Sequence, residues 1–307
     1  MTNDKWQMYF ASRLLRVAFR LPSALCLLVL LVLTPAALGQ KRTRSGSHPT
    51  VVPETLSSED RELIDQAVGV VCSERRLDAL GSVPIDDMQR RPSLSLHAPE
   101  VIKGAERAQR LLPNAKVLAI AALRQLSQAY KVDRYSHHAA QMNRAVARIQ
   151  AVARIKPDMD ARDNASVYLK NPRTITFGTI FLAGLPSDEG MVSILAHELV
   201  HIGDGNADTL GSLFHAVGVR ASSLTGLSIR EQRAEELTCD LIGALATQSF
   251  IAGSPNYDPL PRRLARAVEH NCVDEDASDE EHLSPRNTLR AVLTLDRTLR
   301  RGLVFKR

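Results

Sequence analysis

The sequence predicts a mainly helical α+β chain in which a small sheet lies beside a metal-binding helix. Three observations predict it. Residues 191–205, MVSILAHELVHIGDG, place apolar side chains at helical spacing around two histidines four apart. Residues 158–185 hold the β-rich runs, 167–169 and 174–182, with Asn171-Pro172 between them. Elsewhere the apolar residues recur with a helical period over most of the chain.

Taken in order, residues 1–39 read as a targeting segment. Basic Arg13, Arg16 and Arg20 precede the apolar run 24–33, Pro35 breaks it, and Ala37-Leu38-Gly39 fits a cleavage site before Gln40. The run falls short of the ~20 apolar residues of a membrane span. A cleaved signal peptide is therefore expected ahead of an uncleaved anchor over residues 21–38, and export to the periplasm or beyond the cell follows. The formal charge is +5, of which this segment carries +3. The remaining excess is not clustered, so a nucleic-acid footprint is not expected. Residues 40–57 are rich in Ser, Thr, Pro and basic side chains and read as a flexible linker.

A single domain is expected over 58–303, with a helical N-terminal part to residue 156. Ser58 can cap a helix over 58–76 whose stripe is Leu63, Ile64, Ala67, Val68 and Val71. Pro84, Pro92 and Pro99 make 84–99 irregular. Two helices follow, 100–112 and 114–131, divided at Pro113, and then a third over 136–156. His137 and His138 are adjacent and so do not share a helix face; they read as a solvated helix start. Within the sheet region, 175–182 reads as an edge strand able to hold an extended peptide, with Thr179 on it.

The helix over 191–205 has Ser187 as its N-cap, Asp188 and Glu189 in its first turn, and Gly203 and Gly205 as its stop. Its apolar face is Met191, Ile194, Leu195, Leu199 and Ile202. Within it, His197-Glu198-Leu199-Val200-His201 is an H-E-x-x-H motif. Residues four apart stand one turn above each other, so both imidazoles can reach one metal ion while Glu198 reaches a water. Two solvated histidines on an ordinary amphipathic helix would spell the same motif, and a third ligand decides between the two. It is sought in 228–246, SIREQRAEELTCDLIGALA, a second helical pattern. Glu236 and Asp240 share a face there: Glu236 can complete a zinc site, and Asp240 can accept from the far nitrogen of a ligating histidine. Glu235 and Glu231 are the competing carboxylates. The stretch 205–226 between the two helices reads as a cover over the cleft or as a packed helical connection, with His215 on its surface. Acidic residues fill 274–281, a solvated loop without EF-hand spacing. A last helix is expected over 287–303.

Of the four cysteines, Cys26 leaves with the signal segment. Cys239 lies on a helix expected to be buried and reads as the free thiol. Cys72 and Cys272 remain as a pair.

Taken together, H-E-L-V-H, the later E-x-x-x-D running into L-I-G-A, the Asp163-Asn164-Ala165 turn before the strands, and His282-Leu283-Ser284-Pro285 with Arg286 and Arg290 resemble the M48 family of zinc metallopeptidases. The resemblance spans about residues 158–295. Glu281 stands where that pattern has threonine, and Leu283 and Ser284 separate His282 from Pro285. The resemblance implies a zincin-like catalytic domain with one Zn2+ per chain held by His197, His201 and Glu236, with Asp240 behind them. It implies Glu198 as general base and His282 as a second catalytic group. Asn164, Thr179 and Arg286 would meet the substrate, a protein or peptide. The expected activity is that of an exported metalloendopeptidase. The alternative is a zinc-binding fold that holds protein clients without cutting them. Membrane contact is expected only through an uncleaved anchor.

Overall fold

The structure is a computed structural model that describes residues 55–72, 92–162, 164–168, 170–184, 187–205, 209–255, 258–269 and 280–303. All lie in the compact unit 51–307. The expected signal segment 1–39, nearly all of the expected linker 40–57, the acidic stretch 274–279, Cys26 and Cys272 lie outside the described residues.

The helices are α1 (Ser58–Val71), α2 (Pro99–Ala129), α3 (His138–Ala151), α4 (Thr179–Gly184), α5 (Asp188–Asp204), α6 (Gly211–Thr225), α7 (Gln232–Gly253), α8 (Leu260–Glu269), α9 (Pro285–Leu295) and α10 (Arg297–Leu303). The strands are β1 (Arg154–Asp158), β2 (Ala165–Val167) and β3 (Thr174–Gly178). The protein is thus mainly helical with a three-stranded mixed sheet, ordered β1-β3-β2. β3 runs parallel to β1, with Arg154 opposite Thr174, and antiparallel to β2, with Ala165 opposite Phe177.

α5 is the axis of the packing. Met191, Val192, Leu195, Ala196, Leu199 and Val200 are all fully buried, because α2, α3, α7, α8 and β2 surround the helix. A helix apolar on nearly every side is one that the fold encloses. Ser187 caps it, its Oγ accepting from the Gly190 N–H at 3.1 Å, and the helix passes through Gly203 to stop at Gly205. α7 lies closest to it. Gly243 permits this approach, since a Cβ there would stand 2.8 Å from the Ser193 carbonyl oxygen on α5.

Several expected elements differ. The N-cap of α1 is Ser57, whose Oγ accepts from the Asp60 N–H at 3.0 Å, and the helix runs to Val71 with Cys72 as its C-cap; residues 73–76 lie outside the described residues. The two helices expected on either side of Pro113 are one, α2. Ala108, Leu111, Leu112, Ala115 and Ala119 form an unbroken buried face, and its packing outweighs the one backbone hydrogen bond that proline removes. α3 stops at Ala151, and 154–158 is strand. Pro157 disfavours helix for Lys156, and the N–H groups of Ala153 and Arg154 are taken by the Arg173 carbonyl.

The run 174–182 divides into β3 and α4, and β3 is the central strand. All five of its residues are buried, so it is not an edge that could take a peptide. The edge strand that packs against α5 is β2. The helix expected over 228–246 runs instead from Gln232 to Gly253. The last helix is broken at Asp296, whose Oδ1 accepts from the Thr298 and Leu299 N–H groups and starts α10. Between the two motif helices, α6 packs Leu213, Phe214, Val217 and Ala221 inward, as a helical connection.

Candidate metal centre

α5 and α7 run antiparallel where they meet, because the earlier histidine of α5 faces the later carboxylate of α7. His197 Nδ1 is 2.9 Å from Asp240 Oδ1, and His201 Nδ1 is 2.9 Å from Glu235 Oε1. A carboxylate only accepts, so each Nδ1 carries a hydrogen, and each Nε2, once free of its own proton, presents a lone pair. The two Nε2 atoms are 3.1 Å apart. The Glu236 carboxylate closes the triangle: Oε2 is 3.3 Å from His197 Nε2, and Oε1 is 3.5 Å from His201 Nε2. Two ring nitrogens and a carboxylate this close repel one another unless positive charge, a proton on a ring or a metal cation, stands among them. A tetrahedral zinc with N and O ligands at about 2.0–2.2 Å spaces those ligands about 3.3 Å apart, which these separations match.

A second donor set is present. One ligand atom each from His197, His201 and Cys239 lies within 4.8 Å of the others, so this group also could hold a metal ion. Cys239 Sγ, however, is 3.8 Å from His201 Nδ1, the nitrogen already engaged by Glu235. Burial pushes the Cys239 thiol above its ordinary range, which disfavours the thiolate a metal needs. Glu236, on the Nε2 side of both rings, is the better third donor.

The electrostatics favour positive charge at this point, whether a proton on the rings or a cation. Burial alone would lower the pKa of His197, but the charge and hydrogen bond of Asp240, with that of Glu236, hold it well above the ordinary value. His201 behaves alike: burial lowers it, and Cys239, Glu235 and Glu236 raise it further. Glu236, though partly desolvated, is held far below the carboxylate range by the two histidines. Glu198 is buried, and burial raises its carboxyl above the ordinary value against the pull of His197 and His201.

The remaining expected site residues fall in different places. His282, 54% exposed, is brought to the same carboxylate, its Nε2 3.7 Å from Glu236 Oε2. The Ser284 cap of α9 fixes the segment that carries it. Asn164 is exposed immediately before β2; its Oδ1 accepts from the Ala165 N–H and its carbonyl from the Gly178 N–H. Thr179 is fully buried, and its Oγ1 accepts from the Leu94 N–H at 3.0 Å, so it presents no surface. Arg286 is exposed on α9 and makes no hydrogen bond or ion pair among the described residues, while Arg290 pairs with Asp65 of α1 at 2.9 Å. His215 is exposed on α6. Cys239 is free and Cys72 is disulfide-bonded; the pairing with Cys272 lies outside the described residues. Glu235 is the residue that sequence reasoning placed wrongly, as a rival ligand. The spacing along α7 gave no signal for it: Glu235 and Asp240 are five residues apart, about 1.4 turns, against four for His197 and His201, and only the crossing of the two helices brings Glu235 to His201.

Comparisons with protein-family models, with curated proteins and with solved structures return no match for this chain. Among the described residues no helix is long and apolar enough to cross a membrane.

Proposed function

We propose that the chain is a zinc-dependent endopeptidase of the M48 kind, with a zincin-like active site, acting on protein substrates outside the cytoplasm. The observation that carries this reading is the meeting of His197 Nε2, His201 Nε2 and the Glu236 carboxylate at separations of 3.1, 3.3 and 3.5 Å. Two imidazoles and a carboxylate suit zinc and leave a fourth position for water. A zinc ion in that cage supplies Lewis acidity, polarising a carbonyl and lowering the pKa of a water.

The protein's own groups do the rest. Asp240 and Glu235 hold the two rings with Nε2 outward. Glu198, with a carboxyl raised by burial, accepts the proton of the attacking water at its carboxylate and delivers it to the leaving amine. His282, whose Nε2 is 3.7 Å from Glu236 Oε2, would donate to the oxygen that gains charge as the carbonyl is attacked. β2, the sheet edge against α5, offers outward main-chain groups to an extended substrate, with Asn164 at its start.

The test is a Glu198→Gln variant of the zinc-loaded full chain. Cleavage of an unfolded protein substrate should fall at least about a hundredfold, the scale of a lost general base, while zinc content is kept. Undiminished cleavage in the variant would sink the assignment. A wild type that binds the substrate and never cuts it would favour the client-binding alternative.

A further inference from the structure

Cys239 is fully buried on α7, and neither the metal triangle nor the proton transfers proposed above use it. Its surroundings are those of a metal ligand. Sγ is 3.8 Å from His201 Nδ1, and Glu235 Oε1 is 2.9 Å from the same nitrogen. Glu235 and Cys239 are four residues apart on α7, so they share a face. The Nδ1 side of His201 thus meets a carboxylate oxygen and a sulfur, while its Nε2 side meets His197 and Glu236. An ion bound to N, O and S at about 2.0, 2.1 and 2.3 Å holds the nitrogen about 3.3 Å from the oxygen and about 3.6 Å from the sulfur. Both separations found lie within about half an ångström of these. The sulfur and the two histidines also each place a ligand atom within 4.8 Å of the others.

This side of the ring is open to solvent through Glu235. A groove of about 720 Å3 lies between α6 and the start of α7, and Glu235 lines it. His215 and Glu231 line it too, both exposed. Two carboxylates and an imidazole outnumber its one cation, Arg230, so the groove draws positive ions toward Glu235.

We infer that Glu235, Cys239 and His201 Nδ1 form a second cation site, selective for a soft, thiophilic ion, which competes with zinc for His201. Softness follows from the donors. Zinc completes its set with Glu236 and has no need of a buried, protonated thiol. A soft cation binds sulfur tightly enough to take the place of the thiol proton. The competition follows from the ring. A neutral imidazole carries one hydrogen, here on Nδ1 toward Glu235. An ion at Nδ1 sends that hydrogen to Nε2, which then has no lone pair for zinc. The balance is one soft cation in, one zinc out and the Cys239 thiol proton released to solvent, with the ring hydrogen moved from Nδ1 to Nε2. The site is a route of metal poisoning from behind the histidine, and it stands whether or not the chain cuts peptides.

The probe is Cd2+, titrated into the zinc-loaded full chain. Two quantities are read: thiolate-to-cadmium charge transfer in the ultraviolet, and both metals by elemental analysis after gel filtration. Wild type should gain the charge-transfer band and exchange one zinc for one cadmium. Cys239→Ala and Cys239→Ser, checked for folding by Tm, should lose the band, keep their zinc and bind cadmium at least about tenfold more weakly. Glu236→Ala, without zinc, should still show the band. No band in wild type, a band of equal strength in both Cys239 variants, or zinc and cadmium held together in one chain would overturn the proposal. So would cadmium that replaces zinc without the band, since it would then sit on the Nε2 side. A wild type that loads no zinc would end the reading of the zinc centre instead, and the band with its loss in Cys239→Ala would still decide this one.

Discussion

At the scale of single residues, the chemistry depends on which nitrogen of each histidine is left open. Asp240 and Glu235 decide that, one for each ring. Glu235→Ala should lower zinc affinity about ten- to a hundredfold by chelator competition, the usual cost of removing a ligand's orienting partner, with Glu235→Gln retaining part of it. Unchanged affinity in the alanine variant would show that His201 needs no such support. The motif residues were legible because their spacing along one helix fixes their geometry. Glu235 was not, because its role depends on how two helices cross. Thr179 was misread for a related reason: a β-rich run does not say which strand lies at the edge, and the chain turns into α4 at that residue.

At the scale of elements, the site is the crossing of α5 and α7, and Gly243 sets its distance. Gly243→Ala should cost about 1–3 kcal/mol of stability, the range for overpacking a tight core, and should weaken zinc binding by moving Glu236 from the histidines. A thermal melt and a zinc titration of the variant check both. An unshifted Tm would mean that the helices separate without penalty. Helix α5 was readable down to its cap, because Ser187, the acidic first turn and the terminal glycine are local signals. Pro113 misled, since local propensity divides α2 while the buried face on both sides of the proline keeps it whole. β1 was hidden in the tail of a helical pattern, although Pro157 marked the change.

At the scale of the whole molecule, one hydrophobic cluster joins α1 near the start to α10 near the end, with α5 inside it. The first turn of α5 is tied to α8 by a buried ion pair, Arg263 Nε to Glu189 Oε1 at 2.5 Å, with Arg263 also reaching the Ile251 and Ser254 carbonyls. Arg263→Ala leaves the buried Glu189 only the more distant Arg266, at 3.7 Å, and should destabilise the protein in denaturant unfolding by somewhat less than the ~3–5 kcal/mol of a fully orphaned buried charge. A loss below 1 kcal/mol would mean that water reaches Glu189. Long-range ties of this kind leave no periodic trace in a sequence, so the α+β class was legible while the arrangement of helices around α5 was not.

The central claim is that His197, His201 and Glu236 together hold one metal ion. The most direct measurement is elemental analysis of the purified full chain after zinc loading and dialysis, beside Glu236→Ala. One zinc per chain, lost in a variant that still folds, is the predicted result. A folded wild type without zinc, or a Glu236→Ala variant that keeps it, would contradict the claim; zinc retained in the variant but lost in Cys239→Ala would assign the third ligand to the thiol.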